Sequence, residues 1–223
     1  MLRPRSSGTD RNVYTLYYSP ATASMVVHLA LLEIGAPLRL EKVDFDQDAQ
    51  HSPEYLRLNP RGQVPTLVID GKAYFESAAL LLILAERHPE SHLAPPPGSD
   101  TRAGWYQWIA FFTNALGPAY RFWFYPPDLG APEHPPAVRD ALRQKIEDAW
   151  ALVDAHLASQ GPYMLGASFS GVDLLATMYM RWSRNMPRPA TEWPALRRLA
   201  DLVRARPSWK RLYGVEGLTE WAA

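Results

Sequence analysis

The spacing of apolar residues differs between the first part of this chain and the rest. The segments 13–19 and 38–43 are rich in valine and tyrosine or alternate apolar with charged residues, which predicts two strands. Between them, the segment 25–34 is almost continuously apolar, which indicates a helix buried on most of its sides. Ser24 in front of it and Gly35 behind it are typical helix boundary residues. We therefore expect a β-α-β unit at the start of the chain.

A hairpin and a further helix are predicted directly after this unit. A short helical turn at 53–58 leads into Asn-Pro-Arg-Gly-Gln-Val-Pro-Thr-Leu-Val-Ile-Asp (59–70), a turn followed by a β-branched strand. An Asp-Gly pair, a strong turn signal, separates this strand from a second one at 73–75. The apolar run 78–85 then predicts a helix. This order of elements fits a thioredoxin-like domain, an α/β fold.

The remainder of the chain is expected to be an all-helical bundle. Pro-Pro-Pro-Gly at 95–98 is the clearest linker signal, and no strand-period segment stands out beyond it. Ser170 and Asp173 form a variant of the capping box, with aspartate in place of the usual glutamate. Helical spacing is found in four segments, 102–119, 137–159, 172–183 and 195–205. The expected organisation is a disordered tail 1–12, a thioredoxin-like domain 13–92, a linker 93–100 and a helical domain 101–223.

Composition removes several classes of function. Lysine plus arginine equals aspartate plus glutamate at 23 each, so no net field favours nucleic acid or an anionic membrane. No apolar stretch approaches the roughly 18 to 20 residues that a spanning helix needs, and the basic start lacks the apolar segment of a secretory signal. We therefore expect a cytoplasmic protein. The chain has no cysteine, so any thiol chemistry must use a thiol that a ligand supplies.

Two short motifs resemble a known binding site. Val64-Pro65 lies in Asn-Pro-x-Gly-x-Val-Pro, and Glu76-Ser77 opens the helix after the hairpin. Together they are similar to the glutathione-binding half of the bacterial cytosolic glutathione S-transferases, of beta-like or theta-like type. The resemblance covers nearly the whole chain.

The resemblance assigns a role to each residue of these motifs. It implies a cis bond before the proline and a backbone pairing of Val64 with the cysteinyl part of glutathione. Ser77 and the free amides of its helix would bind the γ-glutamyl carboxylate, and Glu76 the ammonium group. Gln63 belongs to the same implied glutathione site.

The residue that activates the thiol is left open between two hydroxyls. The loop Ser-Pro-Ala-Thr-Ala-Ser (19–24) is similar to Ser-Pro-Gly-Ala-Cys-Ser of the beta class, but Ala23 stands where that class has its cysteine. Theta and delta enzymes use a serine two residues after the proline, the position of Thr22. Ser24, at the start of the first helix, offers a hydroxyl and an amide, and we expect it to contribute more than Thr22. A simple capping role is the alternative for both.

Two histidines near the site have different expectations. His28, on the apolar helix, is expected to be a core histidine. His51 lies where related proteins often hold the glycyl carboxylate.

A dense group of aromatic residues after the linker suggests a second binding site. Most of these rings are expected to be helix–helix core, but some would line an apolar pocket over the glutathione thiol. The candidates for that pocket are Phe111, Asn114, Tyr120 and Trp123.

The resemblance therefore implies a homodimeric enzyme that conjugates glutathione, as co-substrate and without a metal, to small apolar electrophiles. Alternatives are a glutathione-dependent isomerase or peroxidase, or a non-enzymatic regulatory or ligand-carrying protein of the same fold.

Overall fold

The computed structural model describes residues 13–221, and a mixed sheet of four strands lies in its first part. The strands are β1 (Tyr14–Tyr18), β2 (Leu38–Lys42), β3 (Thr66–Ile69) and β4 (Lys72–Phe75). Their order in the sheet is β2-β1-β3-β4, with β1 parallel to β2 and antiparallel to β3, and with β3 antiparallel to β4. This is the thioredoxin-like arrangement that the sequence predicts. The expected disordered tail, 1–12, lies outside the described residues.

Helices cover the sheet and form the second part of the molecule. They are α1 (Met25–Ile34), α2 (Pro53–Leu56), α3 (Ser77–Arg87), α4 (Asp100–Phe111), α5 (Gly117–Phe124), α6 (Pro136–Gln160), α7 (Gly171–Trp182), α8 (Pro194–Arg204) and α9 (Pro207–Glu216). The α/β domain followed by a helical domain is therefore confirmed. Within 13–221 no helix combines the length and the apolar character that crossing a bilayer requires.

One predicted helix is interrupted. The spacing over 102–119 suggests a single helix, but the structure has α4, then a π-helical stretch at Phe112–Leu116, then α5. Gly117-Pro118 begins α5, and Pro118 has no backbone N–H to continue the preceding hydrogen-bond ladder. The wider turns of the π-helix join the two segments without a loop.

The last helix, α9, is not among the helices predicted from the sequence. Its buried positions follow helical spacing through Trp209, Leu212 and Tyr213, but the next position in that series is Glu216. An acid at a core position hides the apolar pattern. Glu216 is nevertheless buried, and its side chain contacts the first part of the chain.

The two parts share one continuous core, and α7 lies at their junction. The Gly171 amide, at the first residue of α7, donates to the Leu93 carbonyl oxygen at 2.7 Å. A Cβ atom at Gly171 would lie 2.8 Å from Leu81 Cδ1 of α3 and 3.2 Å from the Leu93 carbonyl oxygen, so glycine favours this close approach. Leu93 itself is fully buried within the segment expected to be a linker.

The capping box at the start of α7 forms as predicted. The Ser170 amide donates to Asp173 Oδ2 at 2.7 Å, and the Met164 amide donates to Asp173 Oδ1 at 2.8 Å. Asp173 is fully buried. Burial raises the pKa of its carboxyl from 3.8 to about 7, although these hydrogen bonds act in the opposite direction.

We expect Asp173→Asn to lower the free energy of unfolding by about 2–4 kcal/mol, because an amide replaces one acceptor oxygen with a donor that faces buried N–H groups. Asp148→Asn, on the exposed face of α6, is the matched control and should cost less than about 0.5 kcal/mol. Urea denaturation of both variants measures the difference.

The same comparison depends on pH. The native Asp173 carboxyl binds its proton more tightly than the unfolded one, so its contribution is complete below about pH 4 and declines as the pH rises through about 7. The gap in stability between the wild type and Asp173→Asn should therefore narrow over this range. A gap that widens with pH would contradict the raised pKa.

Candidate functional site

Strand pairing brings three separate segments to one end of the sheet. Tyr17 pairs with Thr66, so the end of β1 lies beside the start of β3. Thr66 in turn pairs with Phe75, so the end of β4 lies at the same edge. The loop 19–24, Val64 and the start of α3 therefore meet here.

The segment before β3 is held by its own side chains. The peptide bond between Val64 and Pro65 is cis, as the resemblance implies. The Gln63 carbonyl oxygen accepts hydrogen bonds from Tyr55 Oη at 2.6 Å and from Asn59 Nδ2 at 2.7 Å. Among residues 13–221 neither backbone group of Val64 bonds to another backbone group, which leaves both available to an extended ligand. The Gln63 carbonyl is already occupied, so its contribution to ligand binding rests on its side chain.

The start of α3 presents an acid and free amides. Glu76 has φ of 72°, and Ser77 is the first residue of the helix. No side chain caps this end, and a helix N-terminus with uncapped N–H groups favours a carboxylate. The Glu76 carboxylate is exposed and forms an ion pair with Arg61. Because an exposed pair of this kind contributes about 0–1 kcal/mol, Glu76 remains available to a ligand cation.

The two hydroxyls of the first loop share one acceptor. Thr22 Oγ1 donates to the Ser19 carbonyl oxygen at 2.7 Å, and Ser24 Oγ donates to the same oxygen at 3.0 Å. The two hydroxyl oxygens lie 2.9 Å apart. Ser24 is 0% exposed and caps no backbone N–H of α1, whereas Thr22 is only partly buried. The structure therefore directs the Ser24 hydroxyl inward and leaves Thr22 nearer to the surface.

The two histidines lie in different surroundings. His28 is 1% exposed in the core, as the sequence suggests. His51 is 58% exposed, and its Nδ1 lies 2.6 Å from Asp48 Oδ1. Its ring packs on the turn that precedes Val64, since a Cβ atom at Gly62 would lie 2.7 Å from His51 Cδ2.

The four residues expected to line the second pocket do not share one surface. Tyr120 is fully buried, accepts a hydrogen bond from Trp150 Nε1 at 3.0 Å and has its pKa raised by burial. Trp123 is buried beneath the Arg139 guanidinium. Phe111 is half-buried, and exposed Asn114 donates to the Ala110 carbonyl. Phe111 and Asn114 are therefore the members closer to solvent.

Tyr179, a residue that the sequence does not single out, packs within the aromatic group of the helical part. Tyr179 stacks on Tyr120 and on Phe112, and its hydroxyl would lie 3.1 Å from a Cβ atom at Gly117. Burial raises the pKa of Tyr179, and the negative charge of Glu76 raises it further, so this ring is within electrostatic range of the α3 start. The nearly continuous apolarity of α7 gives Tyr179 no distinctive position in the sequence. The one sequence feature that reflects its placement is the small residue Gly117, which lies opposite its hydroxyl.

A cavity of about 490 Å³ lies at the opposite end of the sheet. Arg87 pairs there with Asp70, and Tyr14 Oη lies 2.7 Å from His88 Nε2. Because these polar groups bind one another, they leave few hydrogen-bonding groups for a ligand in the cavity.

Comparison with known proteins identifies the family and the fold. Residues 22–87 match the family model for the glutathione S-transferase N-terminal domain, and residues 136–213 match the model for the C-terminal domain. A glutathione S-transferase of Xanthomonas campestris, GST-4.5, is 32% identical over 176 residues, 75% of this chain and 81% of that protein. The Escherichia coli disulfide-bond oxidoreductase YfcG is 26% identical over 205 residues, 86% of this chain and 91% of that protein.

Solved structures agree with these relatives. A sphingomonad glutathione S-transferase in complex with glutathione has a TM-score of 0.81 at 28% identity, covering 92% of this chain and 100% of its own. The ternary complex of BphK, a bacterial glutathione S-transferase, has the same TM-score and coverage at 30% identity.

We expect Gly62→Ala to weaken ligand binding at this end of the sheet. Gly62 has φ of 60°, and the added methyl group would displace the His51 ring. Gly71→Ala is the matched control, because Gly71 has φ of 79° but nothing within 4 Å of an added Cβ. Both variants should lose about 1 kcal/mol or more of stability from the left-handed backbone, measured by urea denaturation. Of the two glycine variants, only Gly62→Ala should reduce the affinity for glutathione in calorimetry, and His51→Ala should reduce it as well. Equal losses of glutathione affinity in both glycine variants would exclude the role of His51.

Proposed function

Since the chain belongs to the glutathione S-transferase family, we propose that it binds glutathione at this end of the sheet and conjugates it to small apolar electrophiles. The observation that carries the proposal is the convergence of Val64, the α3 start and the loop 19–24 on one edge, in a fold similar to that of the glutathione-bound sphingomonad enzyme.

Glutathione would bind along this edge through its backbone and its two ends. The N–H and C=O of Val64 pair with the cysteinyl residue as an added strand. Ser77 and the free amides of α3 bind the γ-glutamyl carboxylate, and Glu76 binds the ammonium group. The Gln63 side chain contributes beside Val64, and His51 takes the glycyl carboxylate.

The shared acceptor of the loop suggests how the thiol is activated. Both hydroxyls donate to the Ser19 carbonyl, so Ser24 alone can satisfy that oxygen. Thr22 is then free to turn its hydroxyl hydrogen toward the glutathione sulfur. A donor to sulfur favours the thiolate over the thiol, whose free pKa is about 8.5. We therefore assign the donor role to Thr22, and Ser24 holds the loop in place.

The thiolate would attack an electrophile held against the helical domain. A carbon–sulfur bond forms as the leaving group departs with its electron pair, and the thiol proton is lost to solvent before the attack. Phe111 and Asn114 would contact this substrate, while Tyr120 and Trp123 support them from the core. Catalysis would rest on proximity and on stabilisation of the thiolate.

Glutathione-dependent disulfide reduction is the second candidate, because YfcG matches 86% of this chain. The chain has no cysteine, so two glutathione molecules would have to supply both electrons and leave as oxidised glutathione. An assay with a small disulfide distinguishes this reaction from conjugation. Assays with an isomerase substrate and with a peroxide test the remaining enzymatic alternatives, and glutathione binding without turnover in all of them would indicate a ligand-binding protein.

Assembly and location are also proposals. β4 is an edge strand of the sheet and Tyr74 is exposed on it, so we propose that a second copy of the chain packs there as a homodimer. Sedimentation across a range of concentrations tests this; a constant mass of 25.2 kDa would contradict it. We propose a cytoplasmic location on the basis of the same family assignment.

Glutathione should raise the unfolding temperature of the wild type, because a ligand that binds only the folded state stabilises it. Ser77→Ala and Glu76→Ala should lose most of this protection. The first removes the hydroxyl that donates to the γ-glutamyl carboxylate, and the second removes the carboxylate that binds the ammonium group. Glu54→Ala, on the exposed surface of α2, is the control and should keep it. Wild-type glutathione affinity in both site variants would show that the binding site lies elsewhere.

Thr22→Val should raise the pKa of the bound thiol by about one unit and lower kcat, with the affinity for glutathione little changed. Ser24→Ala should have the smaller effect, because Ser24 is fully buried whereas Thr22 is partly exposed. The thiolate absorbance of bound glutathione, followed against pH, measures both. The reverse order would return the donor role to Ser24.

A further inference from the structure

The loop that carries Thr22 is held by the last helix of the chain. The Ala21 amide donates to Glu216 Oε2 of α9 at 3.0 Å. Trp182 Nε1, at the end of α7, donates to the Ala21 carbonyl oxygen at 3.2 Å. Both backbone groups of one loop residue are therefore bound by side chains from the helical part.

Ala21 needs such support because of its backbone conformation. Its φ is 63°, in the left-handed region that favours glycine, where a Cβ atom costs about 1–2 kcal/mol. Left to itself, Ala21 would return to negative φ. That change would rotate the peptide groups on both sides of it, including the one that leads to Thr22.

Glu216 is fixed in a single orientation. Its side chain is 0% exposed, and its second oxygen, Oε1, accepts a hydrogen bond from His28 Nδ1 of α1 at 2.9 Å. The His28 ring packs against Tyr18, the last residue of β1. The two carboxylate oxygens thus join the helix that follows the loop to the loop itself, and a buried acid with both oxygens occupied is rigid.

We infer that Glu216 is a positioning residue for thiol activation, which sets the conformation of Ala21 and so aims the Thr22 hydroxyl; the inference rests on the proposed function. Trp182 completes the clamp by binding the carbonyl of the next peptide group, the one between Ala21 and Thr22. The helical domain thereby controls the activating loop as well as the second substrate. Glu216 touches neither glutathione nor the electrophile, and it acts through Ala21.

The experiment compares two substitutions at one position. Glu216→Ala removes both acceptors and should raise the pKa of the bound glutathione thiol by about one unit and lower kcat about tenfold. The KM for glutathione should change little, because Val64, Glu76 and Ser77 are untouched. Glu216→Gln keeps an oxygen for the Ala21 amide and should retain most of kcat. Equal losses in both variants would overturn the inference.

A second arm tests the link through the backbone. Ala21→Gly adopts positive φ without the Cβ cost. Added to Glu216→Ala, it should therefore raise kcat by up to about tenfold over the single Glu216→Ala variant. A purely structural role for Glu216 gives no such recovery. If Glu216→Ala does not fold, Trp182→Phe decides, because it removes the N–H that binds the Ala21 carbonyl and keeps an aromatic ring against Tyr120 and Tyr179. An unchanged thiol pKa in Trp182→Phe would overturn the inference.

Glu33→Ala is the matched control. Glu33 also joins α1 to the α9 region, through Arg206 at 2.7 Å and through Ser208, but it lies at the end of α1 away from the loop. It should lower the unfolding temperature without moving the thiol pKa or kcat. If Glu33→Ala lowers kcat as much as Glu216→Ala does, the effect is one of stability and the inference fails. A wild type that binds no glutathione would instead refute the proposed function itself.

Discussion

The hydrogen-bonded pairing of β3 with β1 on one side and with β4 on the other is the constraint on which the whole site depends. Two antiparallel neighbours run in opposite directions, so the start of one strand lies beside the end of the other. The start of β3 must therefore lie beside the ends of both β1 and β4. Side chains alternate between the two faces of a strand, and a shift of one residue would turn Leu67 out of the core. Burial therefore fixes the register, and the register fixes the distances within the candidate site.

The second constraint is the close contact between the two parts of the chain. Gly171 allows α7 to approach α3, and Leu93 lies buried against that junction. Because α7 is held there by its capping box, its far end places Trp182 beside the loop 19–24. The position of a hydroxyl in the first domain thus depends on how the second domain packs.

Buried polar groups concentrate along this junction. Asp173, His28 and Glu216 are each almost inaccessible, and each has hydrogen-bond partners from another segment. A buried polar group is costly without partners, so each of these residues permits few arrangements of its neighbours. They favour one relative placement of the helices. Apolar contacts alone would specify that placement less strictly.

Local signals determined much of this protein from the sequence alone. Strand alternation, the Gly35 end of α1, the Asp-Gly turn and the capping box each depend on a few neighbouring residues, and the structure bears them out. The motifs around Val64 and Ser77 indicated the family for the same reason. Periodicity failed where the local rule was broken, at Pro118 inside a helical pattern and at Glu216 on an apolar face.

Tertiary structure alone decided which side chains face the site. Thr22 and Ser24 have similar chemistry and lie two residues apart, so only the fold of the loop shows that Ser24 turns inward. Spacing cannot separate Tyr120 in the core from Phe111 nearer the surface, because both follow helical periods. Ala21 and Glu216 are 195 residues apart, and their contact exists only because α9 packs against α1. Sequence patterns report the local conformation of the chain, whereas such contacts depend on the packing of distant elements.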